Sequence, residues 1–305
     1  MNTDQTAPAL QGRSDGPESG NAQKRPAGQY HRHIAPEQPL FSLQPGALLR
    51  YVDLMLLYAR KNIVVTYRQT VLGSLWLVIS PLASSLIQMF VFGYLAGFRT
   101  GGAPKIVFYL FSNTAWGLYS AVVNSDTYIF MGNTGLFGKV SFPRMAISYA
   151  NMLSTTLITG IQFVISWVFL LFFLFRGEIR LSPLLPLSLI PILQLLLLGQ
   201  GMGLIYASLT VRYRDLSRIF PLATRFLMYI SPVVYPLSQL AGTRFDRLIL
   251  LNPLCPAFEF FRAAIWCDPF PPAWSMVLSL FVTIAVNLCG ILVFKRTART
   301  FIDYI

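Results

Sequence analysis

The side chains able to do chemistry are few, and where they fall limits what they can do. Beyond residue 39 the acids are Asp53, Asp126, Glu178, Asp215, Asp246, Glu259, Asp268 and Asp303. Each stands between long uncharged stretches or at the end of one. No carboxylate is therefore expected deep inside an apolar segment, where desolvation could tune it for proton or ion work. Both histidines, His31 and His33, sit in a polar N-terminal tail, and Cys255, Cys267 and Cys289 lack metal-ligand spacing. No metal and no resident cofactor is expected, and no catalytic residue is assigned. Cys255 and Cys267 share one loop, where two thiols are expected rather than a disulfide. The sequence contains no Gly-x-x-x-x-Gly-Lys-[Ser/Thr] string, so ATP and its Mg ion would have to be bound by another chain.

The basic residues are more informative. On a helix over residues 46–70, Arg50, Asp53, Arg60, Lys61 and Arg68 project within an arc of about 100°, and most of the remaining surface is apolar. A narrow charged stripe on an apolar cylinder suits a helix lying in a membrane interface, or one solvated on that side and packed on another subunit. The net charge of +12 is concentrated in such short segments beside apolar runs, which points to anionic lipid and not to nucleic acid.

The elements that position these groups are membrane helices. Residues 71–98 carry no charge, and a crossing helix needs about 20 apolar residues because its backbone must bond internally. The predicted fold is an all-α integral membrane protein with six spans, near residues 71–98, 106–125, 145–175, 181–211, 219–241 and 274–294. Pro183, Pro186 and Pro191 predict an irregular start to the fourth. Residues 248–258 are apolar but too short to cross, and Asn252-Pro253 and Pro256 interrupt them. They are expected to form a re-entrant element between spans five and six, with a surface-lying amphipathic helix as the alternative. Residues 1–39 are too poor in apolar side chains to repay ordering and are expected as a disordered tail; residues 40–305 form the transmembrane domain. Lys and Arg are denser on the side of the termini, at Arg60, Lys61, Lys139, Arg144, Arg212 and Arg214 among others. The opposite loops carry fewer, which predicts a multi-pass protein with both termini in the cytoplasm.

Several short strings then resemble one family in order. Tyr67-Arg68-Gln69-Thr70-Val71-Leu72-Gly73 with Trp76 and Pro81-Leu82 is similar to the first-span entry of ABC-2 type permeases that export polysaccharide. Lys139-Val140-Ser141-Phe142-Pro143-Arg144, Tyr213-Arg214-Asp215, Ser231-Pro232-Val233-Val234-Tyr235-Pro236, Leu251-Asn252-Pro253 and Arg299-Thr300-Phe301-Ile302-Asp303 follow at the expected places. The likeness spans roughly residues 40–305 and is strongest to Wzm-like membrane subunits of O-antigen exporters, with teichoic-acid and capsule exporters as near relatives. It implies a non-enzymatic homodimer in the cytoplasmic (inner) membrane, driven by a separate ABC ATPase, that passes a polyprenyl-pyrophosphate-linked glycan.

The same resemblance makes the loop before the third span an ATPase contact, through Leu136, Phe137, Lys139 and Arg144, although its composition alone reads as a plain connection. It makes the re-entrant element, with Asn252 and Pro253, an outer gate. A glycan has apolar faces that aromatic rings can bear without fixing it, so Trp76, Phe90, Tyr109, Trp116, Tyr119, Tyr229 and Tyr235 are candidates for the path, against the alternative that they pack between helices. Arg60, Lys61 and Arg68 are candidates for the pyrophosphate, against general attraction to lipid headgroups. Two other classes compete: an ATP-independent carrier or lipid flippase, and a polytopic glycosyl- or acyltransferase, which the lack of intramembrane acids and histidine disfavours.

Overall fold

The computed structural model describes residues 51–68, 72–133, 135, 143–240, 242 and 246–300. The expected tail, residues 1–39, lies outside that range. Helix α1 (Val52–Arg68) leads into a first span, Gly73–Leu95, made of a 3-10 turn (Gly73–Leu75), α2 (Trp76–Gln88) and a π-helical stretch (Met89–Leu95). Then come α3 (Lys105–Thr127), the short α4 (Ile129–Gly132), α5 (Met145–Phe175), and α6 (Leu189–Arg212) behind a 3-10 turn at Leu185–Ser188. Helices α7 (Leu216–Ile230), α8 (Asp246–Leu250), α9 (Leu254–Trp266) and α10 (Ala273–Thr300) complete it.

Among the described residues, five elements are long and apolar enough to cross a membrane: the first span, α3, α5, the segment Leu185–Arg212 and Ala273–Arg299. Their limits lie within a few residues of those expected, because each ends where charge, proline or glycine returns. The fifth predicted span differs. Helix α7 is 15 residues long, about 22 Å, and stops at Ile230. Pro232 disfavours helical torsions at the residue before it, and Ser231 is extended, with φ −86° and ψ 150°. Residues 231–236 continue as irregular chain to a 3-10 turn at Leu237–Leu240.

The bundle is built around α3 and α6. Helix α3 is buried along most of its length against the first span, α5 and α6, while α6 also packs on α10. Glycines on α6 permit this closeness. A Cβ on Gly203 would stand 2.6 Å from Cβ of Asp126 on α3, and one on Gly201 would stand 2.6 Å from Cα of Asn287 on α10. Small residues that let backbones approach are the usual means of association where lipid removes the hydrophobic drive. Away from that contact the core is aromatic. Phe111 meets Trp167 and Trp266 edge-on at 5.6 and 5.8 Å, and α9 brings Phe258 and Phe261 into the same cluster.

Buried polar side chains join the helices on the side where α3 ends. Ser148 and Asn151 of α5 donate to the two carboxylate oxygens of Asp126, at 2.6 and 3.1 Å. Gln200 of α6 donates to Ser148 (3.1 Å), Asn287 of α10 to Gln200 (3.3 Å), and Asn62 of α1 to Asn151 (3.2 Å). The expectation of acids only at span ends therefore needs refining: Asp126 sits in the last turn of α3, yet it is fully buried. Close approach at Gly203 covers it.

Candidate translocation surface

Helix α1 carries its stripe as expected, but the opposite face is not turned to lipid alone. Asp53, Arg60 and Lys61 are exposed, while Ala59 is buried and Tyr58 and Asn62 are half-buried on the side packed against α5. The Tyr58 hydroxyl donates to Asn133 at 2.7 Å, just past α4. Burial raises the Tyr58 phenol above its ordinary range, opposed in part by that hydrogen bond. The β-branched run at Val64-Val65-Thr66 does not interrupt the helix. Of the expected pyrophosphate ligands, Arg60 and Lys61 remain open, with Lys61 Nζ 5.5 Å from the Tyr58 ring centre. The Arg68 side chain lies outside the described part, as do Leu136, Phe137 and Lys139. Arg144 is half-buried immediately before α5, and burial lowers its guanidinium pKa from the usual value.

The seven aromatic candidates divide. Trp76, Phe90 and Tyr229 are about half exposed, at 46%, 59% and 52%. Tyr235 is half-buried, its hydroxyl donating to the Ile230 carbonyl at 3.1 Å and its ring 6.1 Å from Phe98. Tyr109, Trp116 and Tyr119 instead lie inside the bundle, with Trp116 5.2 Å from Tyr119 and 6.4 Å from Phe258. Tyr109 packs beside Gly93 of the first span, Tyr119 beside Gly199 of α6 and Trp116 against α9, so the three are covered inside the bundle. Of the exposed group, Trp76 and Phe90 stand on the first span, and Tyr229 of α7 meets a different residue of that span, Phe92 of the π-helical stretch, at 6.4 Å. A π-helical turn re-aims side chains and is frequent at functional sites; here it borders an aromatic face with Phe90 and Tyr94 outward.

Where α7 breaks, α9 supplies what the lost helix would have bonded. Arg262, fully buried, donates from Nη1 to the Pro232 carbonyl at 2.7 Å, pairs with Glu259 through Nη2, and stacks over Phe108 at 4.7 Å. Glu259 accepts the Leu237 amide at 2.7 Å. Asn252 donates to the buried Ser231 hydroxyl at 2.9 Å and accepts the Leu254 amide at 3.1 Å, which fixes the turn into α9. The Ser279 hydroxyl on α10 donates to the Pro253 carbonyl. Irregular backbone inside a bundle is tolerated where protein satisfies it in this way. Asn252 and Pro253, expected at a gate, thus tie the broken segment to α9 and α10.

The turn 252–253 lies deep in the bundle, and α9 climbs from it to the end where the Ile265 carbonyl accepts the Ser182 amide. Trp266 and Gly102 there donate to Asp268 at 2.8 and 3.0 Å. An open cleft of about 310 Å³ lies alongside, lined by Leu237, Glu259, Asp268, Phe270 and neighbouring prolines. Cys255 and Cys267 are free thiols near opposite ends of α9, separated by about 18 Å of helix rise. Among the described residues no cluster of His, Cys, Asp and Glu could hold a metal.

Sequence reasoning missed the Asp126 network and the part played by Arg262. The available signal was small-residue spacing for the first, since Gly199, Gly201 and Gly203 mark α6 as closely packed. For the second it was the i, i+3 spacing of Glu259 and Arg262 in an otherwise apolar helix.

Comparison with known proteins agrees with this architecture. The chain is 24% identical over 256 residues to the O-antigen export system permease protein RfbA of Klebsiella pneumoniae, covering 82% of this chain and 94% of that one. It is 23% identical over 264 residues to the RfbA permease protein of Myxococcus xanthus, covering 85% and 97%. Against the polysialic acid transport protein KpsM of Escherichia coli it is 26% identical over 194 residues, covering 64% and 74%. Residues 54–266, from α1 to the end of α9, match the membrane domain of the ABC-2 type transporters, so the crossing helices, the broken α7 and the buried α9 belong to a member of that family.

Proposed function

We propose that this chain is the membrane subunit of an ATP-driven exporter of lipid-linked polysaccharide, working as a homodimer with a separate ABC ATPase in the inner membrane. The observation that carries the reading is the set of half-exposed aromatic rings on the first span and on α7, beside a helix break, in a chain whose ABC-2 relatives are named for O-antigen export and polysialic acid transport. The break counts as part of a sixth crossing: α7 and residues 231–240 together cover the distance that α7 alone does not. Six crossings return both termini to the cytoplasm.

In this reading the exposed residues Trp76, Phe90 and Tyr229, with Tyr235 at the break, bear the sugar faces, because ring stacking tolerates changes of register as a polymer slides. The α1 stripe, Arg60 and Lys61 with Arg68, gathers the pyrophosphate at the interface. Leu136, Phe137, Lys139 and Arg144 meet the ATPase, and movement there reaches the bundle through α1 and the Asn62–Asn151 bond. Asn252 and Pro253 belong to the outer gate, which opens when the ties to Ser231 and Ser279 loosen. The chain itself performs no hydrolysis.

Deletion of the gene tests the reading directly. Loss of polysaccharide from the cell surface, with lipid-linked glycan accumulating inside, is expected; surface polysaccharide at the normal level would overturn it. Co-purification of a stoichiometric ATPase separates an ATP-driven exporter from a carrier that needs none.

A further inference from the structure

We infer that Arg225 and Arg218 of α7 form a ladder for a phosphoryl anion inside the membrane, a second station beyond the α1 stripe. The cargo's identity as a polyprenyl diphosphate rests on the export reading above; the anion site rests on the helix itself.

Depth comes first. The hydroxyl of Tyr128, the residue after α3, donates to the Ser217 carbonyl at 2.8 Å, so α7 begins level with the end of a crossing helix. Phe220 stacks on Tyr206 of α6 at 3.9 Å, and Tyr229 reaches Phe92 near the far end of the first span. Arg225 therefore stands eight residues, about 12 Å, inward from Ser217, within a hydrocarbon layer about 30 Å thick.

Direction comes second. At 100° per residue, Arg218, Arg225 and Tyr229 fall within about 40° of one another, and all three are exposed. Ile219, Phe226 and Ile230 form a separate exposed edge about 100° away, while Ser217 and Thr224 are buried toward the bundle. The apolar edge suits lipid. A guanidinium at this depth does not, and intramembrane arginines face protein or water-filled space. Among the described residues, no side-chain hydrogen bond or ion pair engages Arg225 or Arg218. The edge thus carries two guanidinium groups with no side-chain partner among the described residues and a tyrosine ring one turn beyond the deeper arginine, and the exposed Leu222 lies between it and the apolar edge.

Chemistry comes third. A guanidinium fork matches phosphoryl oxygens in bidentate fashion and keeps its charge at any depth. Two such forks, two turns apart on one edge, offer successive holds for a diphosphate moving inward from the interface. Tyr229 above them faces the first sugars.

The test uses the full-length permease in phosphatidylcholine nanodiscs, with undecaprenyl diphosphate and phosphatidylglycerol as separate probes and binding read by native mass spectrometry. Arg225→Gln is expected to weaken the diphosphate by about tenfold and Arg218→Gln by less, while phosphatidylglycerol binding stays unchanged. Arg176→Gln, in a loop at the other end, serves as the control and should change neither. Wild-type affinity for the diphosphate in Arg225→Gln would overturn the inference. So would an equal loss of phosphatidylglycerol, which would make the edge a general lipid contact. If Arg225→Gln does not fold, Arg225→Lys decides, since it keeps the charge and loses the fork: weaker diphosphate binding at an unchanged melting temperature supports the ladder, and unchanged binding overturns it. Absence of diphosphate binding to the wild-type chain also overturns the ladder, whereas the export reading stands or falls separately on the deletion phenotype.

Discussion

Among the described residues two carboxylates are buried, Asp126 and Glu259, and they are held in opposite ways. Asp126, at the end of α3 near α1, is met by the neutral donors Ser148 and Asn151, and its network passes through five helices. Glu259, on α9, is met by a buried arginine, and the pair holds a stretch of backbone that is not helical at all. The first arrangement locks regular helices to one another. The second replaces the hydrogen bonds that a broken helix gave up. Regular helices are thus tied together at one end, and a non-helical segment is held by side chains of α9 at the other.

The largest effect is expected at the second site. Arg262→Met leaves Glu259 buried without its cation and the Pro232 carbonyl without its donor, a loss of about 3–5 kcal/mol for a broken buried pair. Thermal melting of the purified protein should show it. The double variant Glu259→Leu with Arg262→Met removes both charges and should recover part of the loss; a double variant as unstable as the single one would mean that the tie to Pro232, and not the ion pair, carries the effect. Asp126→Ala comes next, because two buried donors then go unmet, at about 1–3 kcal/mol. Asn62→Ala, at the half-buried outer end of the same network, should cost melting temperature less than export rate if α1 transmits the ATPase's movement.

Much of the fold could be read from the sequence because charge marks where hydrocarbon ends. Arg99, Lys105, Arg176 and Arg212 bound segments that the structure keeps as helices nearly to the residue. The fifth predicted span is a shorter helix followed by irregular chain, for a physical reason. Residues 219–241 contain one charge, Arg225, and read as a single apolar run, yet Ser231-Pro232 forbids a helix there and hydropathy does not register torsion angles. Counting Lys and Arg by loop gives no sign that Arg225 stands nine residues inside α7.

The site was less legible. Tyr109, Trp116 and Tyr119 are spaced as one helical stripe, and a stripe says that the residues share a face without saying whether that face meets a neighbour or a cavity. Only the packing of the first span, α6 and α9 on α3 decides. Tyr229 has the same chemistry and lies open because α7 ends before a further helix can cover it. The sequence places Asp126 at a span end without indicating burial, and it is the close approach of Gly203 that covers it.

Gly201 sets a limit on the coupling argument. Replacing it with Ala places a methyl group 2.6 Å from the Asn287 backbone of α10, so the two helices must separate, at about 1–3 kcal/mol for an overpacked core. Asn287 lies on the same contact and donates to Gln200 at 3.3 Å and to the Leu197 carbonyl at 2.8 Å. Separation should therefore detach α10 from the Asp126 network while leaving the α9 clamp intact.

The smallest stability change is expected at Tyr229, whose ring is about half exposed and meets Phe92 at 6.4 Å. Tyr229→Ala should leave the melting temperature nearly unchanged, since a substitution away from packed or paired groups usually stays within about 0.5 kcal/mol. Export should nonetheless fall. Tyr119→Ala should behave in the reverse order, destabilising by about 3–5 kcal/mol as buried aromatic truncations do, with activity following the loss of folded protein. Measuring surface polysaccharide against the amount of folded permease for the two variants separates a residue that touches cargo from one that holds the bundle. If both variants lose export in proportion to folded protein, Tyr229 is a packing residue too, and the path runs along another face.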